Sequence, residues 1–244
     1  MNLAIDIGNT RTKAAVFNDG VLVQHEEWPN GSVPNFFEYA TNQAVQNIIL
    51  SNVAGAVHLD VQEQLQHHFR FFELHPTTPI PVSHEYDTPE TLGKDRLAAV
   101  VGAYTLFPQQ HCLVVDAGTC ITYDWLSAEG VYLGGNIAPG LSMRLQAMHR
   151  FTARLPEVKR GEATALIGRS TEKAMRNGAQ QGILFEIEGY RQWSEANLGP
   201  VKALLTGGDA IFLANKLKSE IFVNHHLVLL GLNKILEYNV KRLE

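Results

Sequence analysis

Two nearly identical phrases occur in the chain, and each marks the point where an apolar run stops. Residues 4–13 read AIDIGNTRTK, and residues 114–124 read VVDAGTCITYD. Three pairs of positions align between the phrases: Asp6 with Asp116, Gly8 with Gly118, and Thr10 with Thr119. A repeated unit of strand, loop and strand constrains the chain to fold as two similar halves.

The sequence after each phrase continues with the same order of elements. In the first half, hydrophobic patterning predicts strands at 3–7, 12–17, 21–27, 47–53 and 70–74, helices near 35–46, 61–69 and 94–106, and an irregular loop at 75–92. In the second half it predicts strands at 113–116, 121–126, 131–137 and 201–206, and helices near 141–149, 171–197, 209–217 and 226–238. The helix at 171–197 is long enough to contain a break. We therefore expect an α/β fold of two similar lobes, each a mixed sheet with flanking helices, with a cleft between them; the lobes are residues 1–108 and 109–244.

Composition and charge narrow the class of protein. The 244 residues are 45% hydrophobic and carry a formal net charge of −5, which argues against a surface that coats nucleic acid. The two cysteines, Cys112 and Cys120, are too few for a disulfide framework and indicate a reducing compartment. The apolar run at 227–232 is too short to span a bilayer. We expect a cytoplasmic protein that binds neither membrane nor nucleic acid.

The first repeated phrase has the chemistry of a phosphate loop, defined here as residues 6–13. Gly8 lets the backbone approach a ligand closely, and the Asn9 and Thr10 side chains and nearby N–H groups can face one point. Lys13 adds positive charge. Asp6, at the end of a strand, is suited to hold Mg²⁺ directly or through water. The alternative is a tight hairpin in which Asp and Thr only cap the turn.

A second phosphate loop (residues 116–119) and a later glycine pair complete this set of ligand-binding loops. The second loop carries Gly118 and Thr119 and would grip a triphosphate together with the first. Gly207 and Gly208, in the motif TGGDA (206–210), lie between a predicted strand and a predicted helix. Paired glycines bring backbone close to a flat ligand, which suits the nucleoside end of ATP.

Seven blocks, in this order along the chain, resemble the type III pantothenate kinases, within the superfamily of acetate and sugar kinases, Hsp70 and actin. They are DIGNTRTK (6–13), YDTPETLGKDR (86–96), DAGTCITYD (116–124), GGNIAPGL (134–141), FTARLP (151–156), GRSTEKAMRNG (168–178) and TGGDA (206–210). Cys120 and Ile167 depart mildly from the family pattern, and neither change removes a functional group. The resemblance implies two ribonuclease H-like lobes of the actin-like ATPase type.

The resemblance also implies a reaction and a set of site residues. The family phosphorylates pantothenate on its primary hydroxyl with ATP and Mg²⁺, the first committed step of coenzyme A synthesis. By resemblance, the pantothenate contacts are Tyr86, Gly93, Lys94, Asp95, Arg96 and, from a neighbouring subunit, Thr171. Asp95 is implied to be the base. Asp116 resembles the family's ligand of a monovalent cation, which is K⁺ or NH₄⁺. Thr119 resembles a residue that contacts ATP. The family members are homodimers with sites at the interface.

Other interpretations of these residues stay open. Lys94, Asp95 and Arg96 also fit the solvated start of a helix, with Asp95 near the positive end of the helix dipole. Two alternative functions are a non-catalytic ATP-binding regulator and a kinase for another small alcohol. The pairs of histidines lack the spacing of a zinc site. The helical or near-helical spacing of Arg144, Arg150 and Arg154 indicates a solvated helix face rather than a site for an acidic ligand or partner.

Overall fold

The computed structural model of the chain describes residues 1–53, 59–162 and 165–243. The chain divides into two compact units. The first unit comprises Met1–Gln109, Leu126–Gly134 and His226–Glu244, and the second comprises Gln110–Trp125 and Gly135–His225. Among the described residues, no helix is both long and apolar enough to cross a membrane.

The described residues form strands and helices in alternation. The strands are β1 (Asn2–Ile7), β2 (Arg11–Asn18), β3 (Val21–Pro29), β4 (Asn47–Asn52), β5 (Arg70–Glu73), β6 (Ser83–His84), β7 (His111–Ala117), β8 (Cys120–Leu126), β9 (Val131–Pro139), β10 (Val201–Thr206) and β11 (Phe222–Val223). The helices are α1 (Phe36–Asn42), α2 (Leu59–His68), α3 (Lys94–Leu106), α4 (Leu141–Arg150), α5 (Thr171–Leu198), α6 (Ala210–Ala214) and α7 (Leu227–Leu243).

The first unit is built on a five-stranded sheet in the order β3-β2-β1-β4-β5. The central strand β1 is antiparallel to β2 and parallel to β4. Its alternate residues Leu3 and Ile5 are fully buried in a core that includes Phe36 of α1 and Leu65 of α2. Helix α7 contacts β1, β2 and β4, and Asn2 of β1 donates a hydrogen bond to Asn233 of α7. Because neighbouring residues of a strand point to opposite faces, the face that carries Asn2, Ala4 and Asp6 is covered by α7.

Helices α3 and α7 pack closely because each has a glycine at the contact. A Cβ on Gly102 would collide with the carbonyl oxygen of Leu227, and one on Gly231 with the carbonyl oxygen of Ala98. This packing joins the last helix to the first unit. The sequence placed residues 109–244 in one lobe, whereas α7 and the segment Leu126–Gly134 pack with the first unit.

The second sheet has six strands in the order β11-β10-β7-β8-β9-β6. Strand β10 is parallel to both β7 and β11. Helix α5 packs on β7 and β10 and buries Ile183 and Ile187 completely. The carboxyl ends of β7 and β10 therefore lie side by side, with Thr206 opposite Asp116.

Several elements differ from the sequence prediction. Helix α5 continues for 28 residues without a break. Helix α6 ends at Ala214 rather than Leu217. Beyond it the backbone tightens: Lys216 N donates to Leu213 O, and Leu217 N shares its hydrogen bond between Leu213 O and Ala214 O. The predicted irregular loop contains β6 and a short 3-10 turn at Pro89–Thr91.

Candidate active site

The first phosphate loop is a tight hairpin between β1 and β2. Gly8 N donates a hydrogen bond to Arg11 O at 3.0 Å, and Gly8 O accepts one from Asn30 Nδ2 at 2.8 Å. Asn30 Oδ1 accepts a third from the buried Thr12 Oγ1 at 3.0 Å. The loop backbone is therefore fixed from the side of β3, while Asn9 and Thr10 at its tip are exposed to solvent.

Three polar side chains lie in a row across this sheet at the end of β1. Asp6 of β1 is opposite Lys13 of β2 and opposite Ser51 of β4. Residues opposite each other in a sheet point to the same face, so the three share the face that α7 covers further along β1. Asp6 is 8% exposed and Ser51 is fully buried. A carboxylate, an ammonium and a hydroxyl thus lie side by side on neighbouring strands, at the carboxyl end of β1.

An ion pair holds the start of α3 near the same end of the sheet. Lys94 Nζ lies 3.3 Å from Glu73 Oε1, and both side chains are 22% exposed. Glu73 is opposite Leu50, the residue before Ser51. Glu73 Oε2 also accepts a hydrogen bond from Gln62 Nε2 at 3.0 Å. The ion pair therefore anchors the first turn of α3 beside the carboxyl end of β4.

Asp95 is folded back over the start of its own helix. Its Oδ1 accepts a hydrogen bond from Arg96 N at 2.8 Å. A Cβ on Gly93 would come within 2.6 Å of the same oxygen, so a larger residue here would force the carboxylate to move. Asp95 is half-buried in the first turn, where the helix dipole favours a negative charge.

Arg96 and two tyrosines form a layered cluster in the first unit. Arg96 is 5% exposed, and its Nη1 donates to Tyr86 Oη at 3.4 Å. Tyr86 stacks on the fully buried Tyr132 with ring centroids 6.0 Å apart and an interplanar angle of 12°. Gly134, at φ 108°, passes beside the Tyr86 ring. The guanidinium is therefore held in a fixed position, as binding a small anion requires.

A cavity of about 370 Å³ lies beneath the loop that precedes α3. Its lining includes Lys94 and Leu97 together with Leu74, Pro79 and Ile80. Tyr86, Asp95 and Arg96 do not line it. We therefore do not place the acceptor site in this cavity.

The second phosphate loop is a hairpin of the same kind in the second unit. Gly118 N donates to Cys120 O at 2.9 Å, and Gly140 N donates to Thr119 O at 3.1 Å. A Cβ on Gly140 would collide with the carbonyl oxygens of Gly118 and Thr119. The start of α4 thus packs directly on the loop and fixes its backbone.

The glycine pair after β10 packs against the second phosphate loop. Gly207 has φ 92°, and a Cβ there would lie 2.5 Å from both Asp116 Oδ1 and Ala117 O. Asp209 N donates to Ala117 O at 3.0 Å. The Asp209 carboxylate pairs with Arg160, whose guanidinium lies 4.5 Å from the centroid of Phe212. Gly208 faces open space.

Two carboxylates are expected to hold ions: Asp116 a monovalent cation, as the resemblance implies, and Asp6 Mg²⁺. Asp116 Oδ1 and Ala117 O both lie against the backbone of Gly207, where a Cβ would come within 2.5 Å of each, and Ala117 O accepts the hydrogen bond from Asp209 N. In the described part of the chain, no group of three or more His, Cys, Asp or Glu side chains could hold a metal ion. Mg²⁺ suits Asp6 nonetheless, because it keeps several waters and takes its other ligands from phosphates.

Arg144 corrects one sequence interpretation. Its guanidinium donates two hydrogen bonds to Glu186 of α5, at 2.7 and 2.6 Å, and its Nε donates to Pro139 O at 2.7 Å. Tyr123 Oη donates to the same carboxylate at 3.0 Å. Burial acts to raise the pKa of Glu186, but the hydrogen bonds from Arg144 and Tyr123 outweigh it and lower that pKa. The prediction that Arg144 lies on a solvated helix face is therefore wrong.

The remaining sequence-predicted residues lie as follows. Thr171 is the exposed first residue of α5, and the preceding Ser170 caps the helix by accepting from Lys173 N at 3.3 Å. Cys112 is a fully buried core residue, and burial raises the pKa of its thiol to about 12. Cys120 is exposed beside the second phosphate loop.

Sequence reasoning missed Asn30, Glu73, Ser51 and Tyr132. Asn30 and Glu73 lie outside the motifs, so the sequence gives no sign of their hydrogen bonds. Ser51 had one available signal, because it is a polar residue next to the end of an apolar strand. Tyr132 lies in a predicted strand, where an aromatic residue indicates only packing.

Comparison with known proteins places these features in a family. The sequence model of the type III pantothenate kinases matches residues 2–192. A type III pantothenate kinase of Phocaeicola vulgatus is 43% identical over 242 residues, covering 99% of this chain and 100% of that protein. One from Porphyromonas gingivalis is 51% identical over 166 residues, covering 67% of this chain and 68% of that protein.

Solved structures show the same fold. A protein of Campylobacter jejuni, described as a conserved member of the Baf family of transcriptional activators, superposes with a TM-score of 0.64 at 27% identity and covers 98% of this chain and 99% of its own. The ROK hexokinase of Thermus thermophilus superposes with a TM-score of 0.54 at 15% identity, with 98% and 99% coverage. The likeness to the hexokinase establishes the sugar kinase and actin-like ATPase fold.

Proposed function

The chain belongs to the type III pantothenate kinase family, and we propose that the residues described above divide the reaction between an acceptor site and a donor site. The protein is a kinase that transfers the γ-phosphoryl group of ATP to the primary hydroxyl of pantothenate and forms 4′-phosphopantothenate for coenzyme A synthesis. The observation that carries this function is the 43% identity along 99% of the chain.

The acceptor site consists of the first turn of α3 and the tyrosine in front of it. Asp95 accepts a hydrogen bond from the primary hydroxyl, orients it for in-line attack and takes its proton as the new P–O bond forms. Arg96, held by Tyr86, pairs with the carboxylate of pantothenate. Gly93 leaves room for the Asp95 carboxylate, and Lys94, whose ammonium Glu73 holds in position, is the second cationic side chain of this turn.

Each unit carries glycine loops that we assign to ATP. In the first unit, Gly8, Asn9, Thr10 and Lys13 bind phosphate oxygens, and Asp6 holds Mg²⁺ directly or through water. In the second unit, Gly118 and Thr119 bind phosphate, and Gly207 and Gly208 accept the nucleoside. When bound, Mg²⁺ neutralises charge on the phosphates. Because phosphoryl transfer depends mainly on positioning and charge neutralisation, fixed backbone donors are the main requirement of this site.

Asp116 is the proposed ligand of a monovalent cation, K⁺ or NH₄⁺. Its carboxylate lies at the end of β7, beside the second phosphate loop, and supplies the kind of oxygen that hard cations bind. A cation held there neutralises the Asp116 carboxylate next to the phosphate loop, and so it lowers the repulsion between that carboxylate and ATP. A cytoplasmic location stays a prediction.

We infer a homodimer in which Thr171 reaches the pantothenate of the neighbouring subunit. The second unit exposes several large apolar side chains on β9, just after α4, just before α5 and on α5, as an interface would: Ile137 (64%), Phe151 (81%), Leu166 (63%), Ile167 (76%), Phe185 (62%) and Trp193 (54%). Isolated large apolar residues are common on surfaces, but a concentration in one unit indicates a contact.

Subunit complementation tests the shared site. Asp95→Asn and Thr171→Val homodimers are each expected to be inactive, and mixing them through a denaturation and refolding step forms heterodimers with one intact site. Activity should then return to about one quarter of the wild-type value, because half of the dimers are mixed and each has one working site. Mixtures that stay inactive, although differently tagged subunits co-purify as heterodimers, would contradict the assignment of Thr171 to the partner's site.

The test of the function itself is substrate-dependent turnover. ADP release is measured with ATP, Mg²⁺ and K⁺ in the presence and absence of pantothenate, and the product is identified by its mass. Turnover that requires pantothenate and yields 4′-phosphopantothenate supports the kinase. ATP binding without pantothenate-dependent turnover would instead support the alternative, a nucleotide-binding regulator, and turnover with another alcohol alone would change the substrate.

A further inference from the structure

Ser51 is a fully buried residue whose hydroxyl has nothing to bond to in the described structure. The residue is 0% exposed, and among the residues that the structure describes its Oγ has no hydrogen-bond partner. Leaving a buried polar group unsatisfied costs about 1–3 kcal/mol, so alanine or valine would stabilise this strand better. A hydroxyl in such a position is therefore expected to bond to a group that arrives with a ligand.

The position of Ser51 in the sheet identifies the direction from which that group comes. Ser51 is opposite Asp6 in the parallel pairing of β4 with β1, and Asp6 is in turn opposite Lys13 of β2. The apolar core lies on the other face, with Ile48 and Leu50 of the same strand. The Ser51 side chain thus shares its face and its level in the sheet with the carboxylate that we assign to Mg²⁺.

The neighbours of Ser51 favour a hydrated cation over a phosphate as its partner. On β1 the adjacent side chain is the carboxylate of Asp6, which repels a phosphate oxygen and attracts a cation. The lysine of this row, Lys13, lies beyond Asp6 and not beside Ser51. Mg²⁺ retains several of its waters, and a hydroxyl oxygen can accept a hydrogen bond from one of them.

We propose that Ser51 is a metal-positioning residue, whose Oγ accepts a hydrogen bond from a water molecule bound to the divalent cation held by Asp6. This proposal rests on the proposed role of Asp6. It adds β4 to the metal site and gives the buried hydroxyl of this strand a hydrogen-bond partner. Ser51 acts through the water of the cation and does not contact the reacting atoms.

The test measures metal binding and folding stability separately. Mn²⁺ is titrated into the protein with a non-hydrolysable ATP analogue, and free Mn²⁺ is followed by its electron paramagnetic resonance signal. Ser51→Ala should weaken Mn²⁺ binding about three- to tenfold, the effect of one lost hydrogen bond. The melting temperature of this variant should stay unchanged or rise, because the variant removes an unsatisfied buried hydroxyl.

Ser194→Ala is the matched control, because Ser194 is equally buried but its Oγ accepts a hydrogen bond from Trp125 Nε1 at 2.7 Å. That variant should melt at a lower temperature and bind Mn²⁺ normally. Unchanged Mn²⁺ binding by Ser51→Ala would overturn the proposal. Asp6→Asn, measured in parallel, separates the two claims: if it loses Mn²⁺ binding and Ser51→Ala does not, the metal role of Asp6 stands and only the role of Ser51 fails.

Discussion

Arg144 and Glu186 form a bidentate ion pair, with hydrogen bonds of 2.7 and 2.6 Å between the guanidinium of α4 and the carboxylate of α5. Through its Nε, Arg144 also holds Pro139 O, next to Gly140, whose N–H bonds to Thr119 O. The ion pair is therefore connected to the second phosphate loop by two successive backbone contacts, and it lies within one unit of the fold.

Replacing Arg144 should reduce both folding stability and ATP affinity. Arg144→Met is expected to lower the free energy of unfolding by about 1–2 kcal/mol. This is the contribution of a charge-assisted hydrogen-bonded pair, reduced because the pair is partly exposed to solvent. We also expect a higher KM for ATP with a smaller change in the KM for pantothenate. Urea denaturation and initial-rate kinetics measure these quantities. Arg11→Met is the control, because the Arg11–Glu27 pair is 57% and 40% exposed and should contribute little. Equal losses in the two variants would contradict the account.

Glu186 should make the stability of the second unit depend on pH. Its pKa is lowered from the ordinary value of 4.5, because the hydrogen bonds from Arg144 and Tyr123 outweigh the effect of burial. A depressed carboxyl pKa contributes stability above the unfolded value and loses it as pH falls through the folded value. The stability advantage of the wild type over Glu186→Gln should therefore be constant at neutral pH and shrink below pH 4.5. Unfolding free energies measured across this range would contradict the assignment if the difference did not change.

Gly207→Ala should damage the second phosphate loop. The added methyl group would stand 2.5 Å from Asp116 Oδ1 and Ala117 O, on a backbone at φ 92° that favours glycine. We expect a loss of about 1–3 kcal/mol of stability and weaker activation by K⁺, measured by thermal unfolding and by K⁺ titration of the rate. Gly189→Ala is the control in the interior of α5, where nothing lies within 4 Å, and it should be neutral or stabilising. Normal K⁺ activation in Gly207→Ala would argue against the cation site.

Gly93→Ala should disturb the acceptor site more than the donor site. Its methyl group would come within 2.6 Å of Asp95 Oδ1 and displace that carboxylate from Arg96 N. We expect kcat to fall by roughly tenfold or more, with a nearly unchanged KM for ATP, because misplacement of the orienting group affects the transferred phosphoryl group and its acceptor. Gly178→Ala, on α5 with nothing within 4 Å, is the control. A fall in ATP affinity alone would contradict this role of Gly93.

Some elements could be predicted from the sequence because their signals are local. Helix α3 begins and ends at the predicted residues, since Gly93 precedes a run of helix formers and Pro108 disfavours helical backbone at Phe107. Strand β10 also has its predicted bounds, Val201–Thr206. It is a short apolar run that stops at a glycine pair, which is a strong boundary signal.

Other features depend on contacts between distant residues and could not be predicted. The packing of α7 on the first unit relies on Gly102 and Gly231, and each looks like an ordinary helix glycine until the two helices meet. The row of Lys13, Asp6 and Ser51 depends on strand register, which is fixed by pairing and not by local sequence. Arg144 resembles a solvated residue until α5 supplies Glu186.

The most direct test of the central claim is single-turnover phosphoryl transfer by Asp95→Asn. We expect this variant to bind ATP and pantothenate but to form 4′-phosphopantothenate at least about a hundredfold more slowly, since asparagine cannot take the hydroxyl proton. Asp19→Asn, the same change at an exposed hairpin turn with φ 50°, should transfer phosphate at the wild-type rate. Transfer at the wild-type rate by Asp95→Asn would contradict the role of Asp95 and leave the acceptor site to be placed elsewhere.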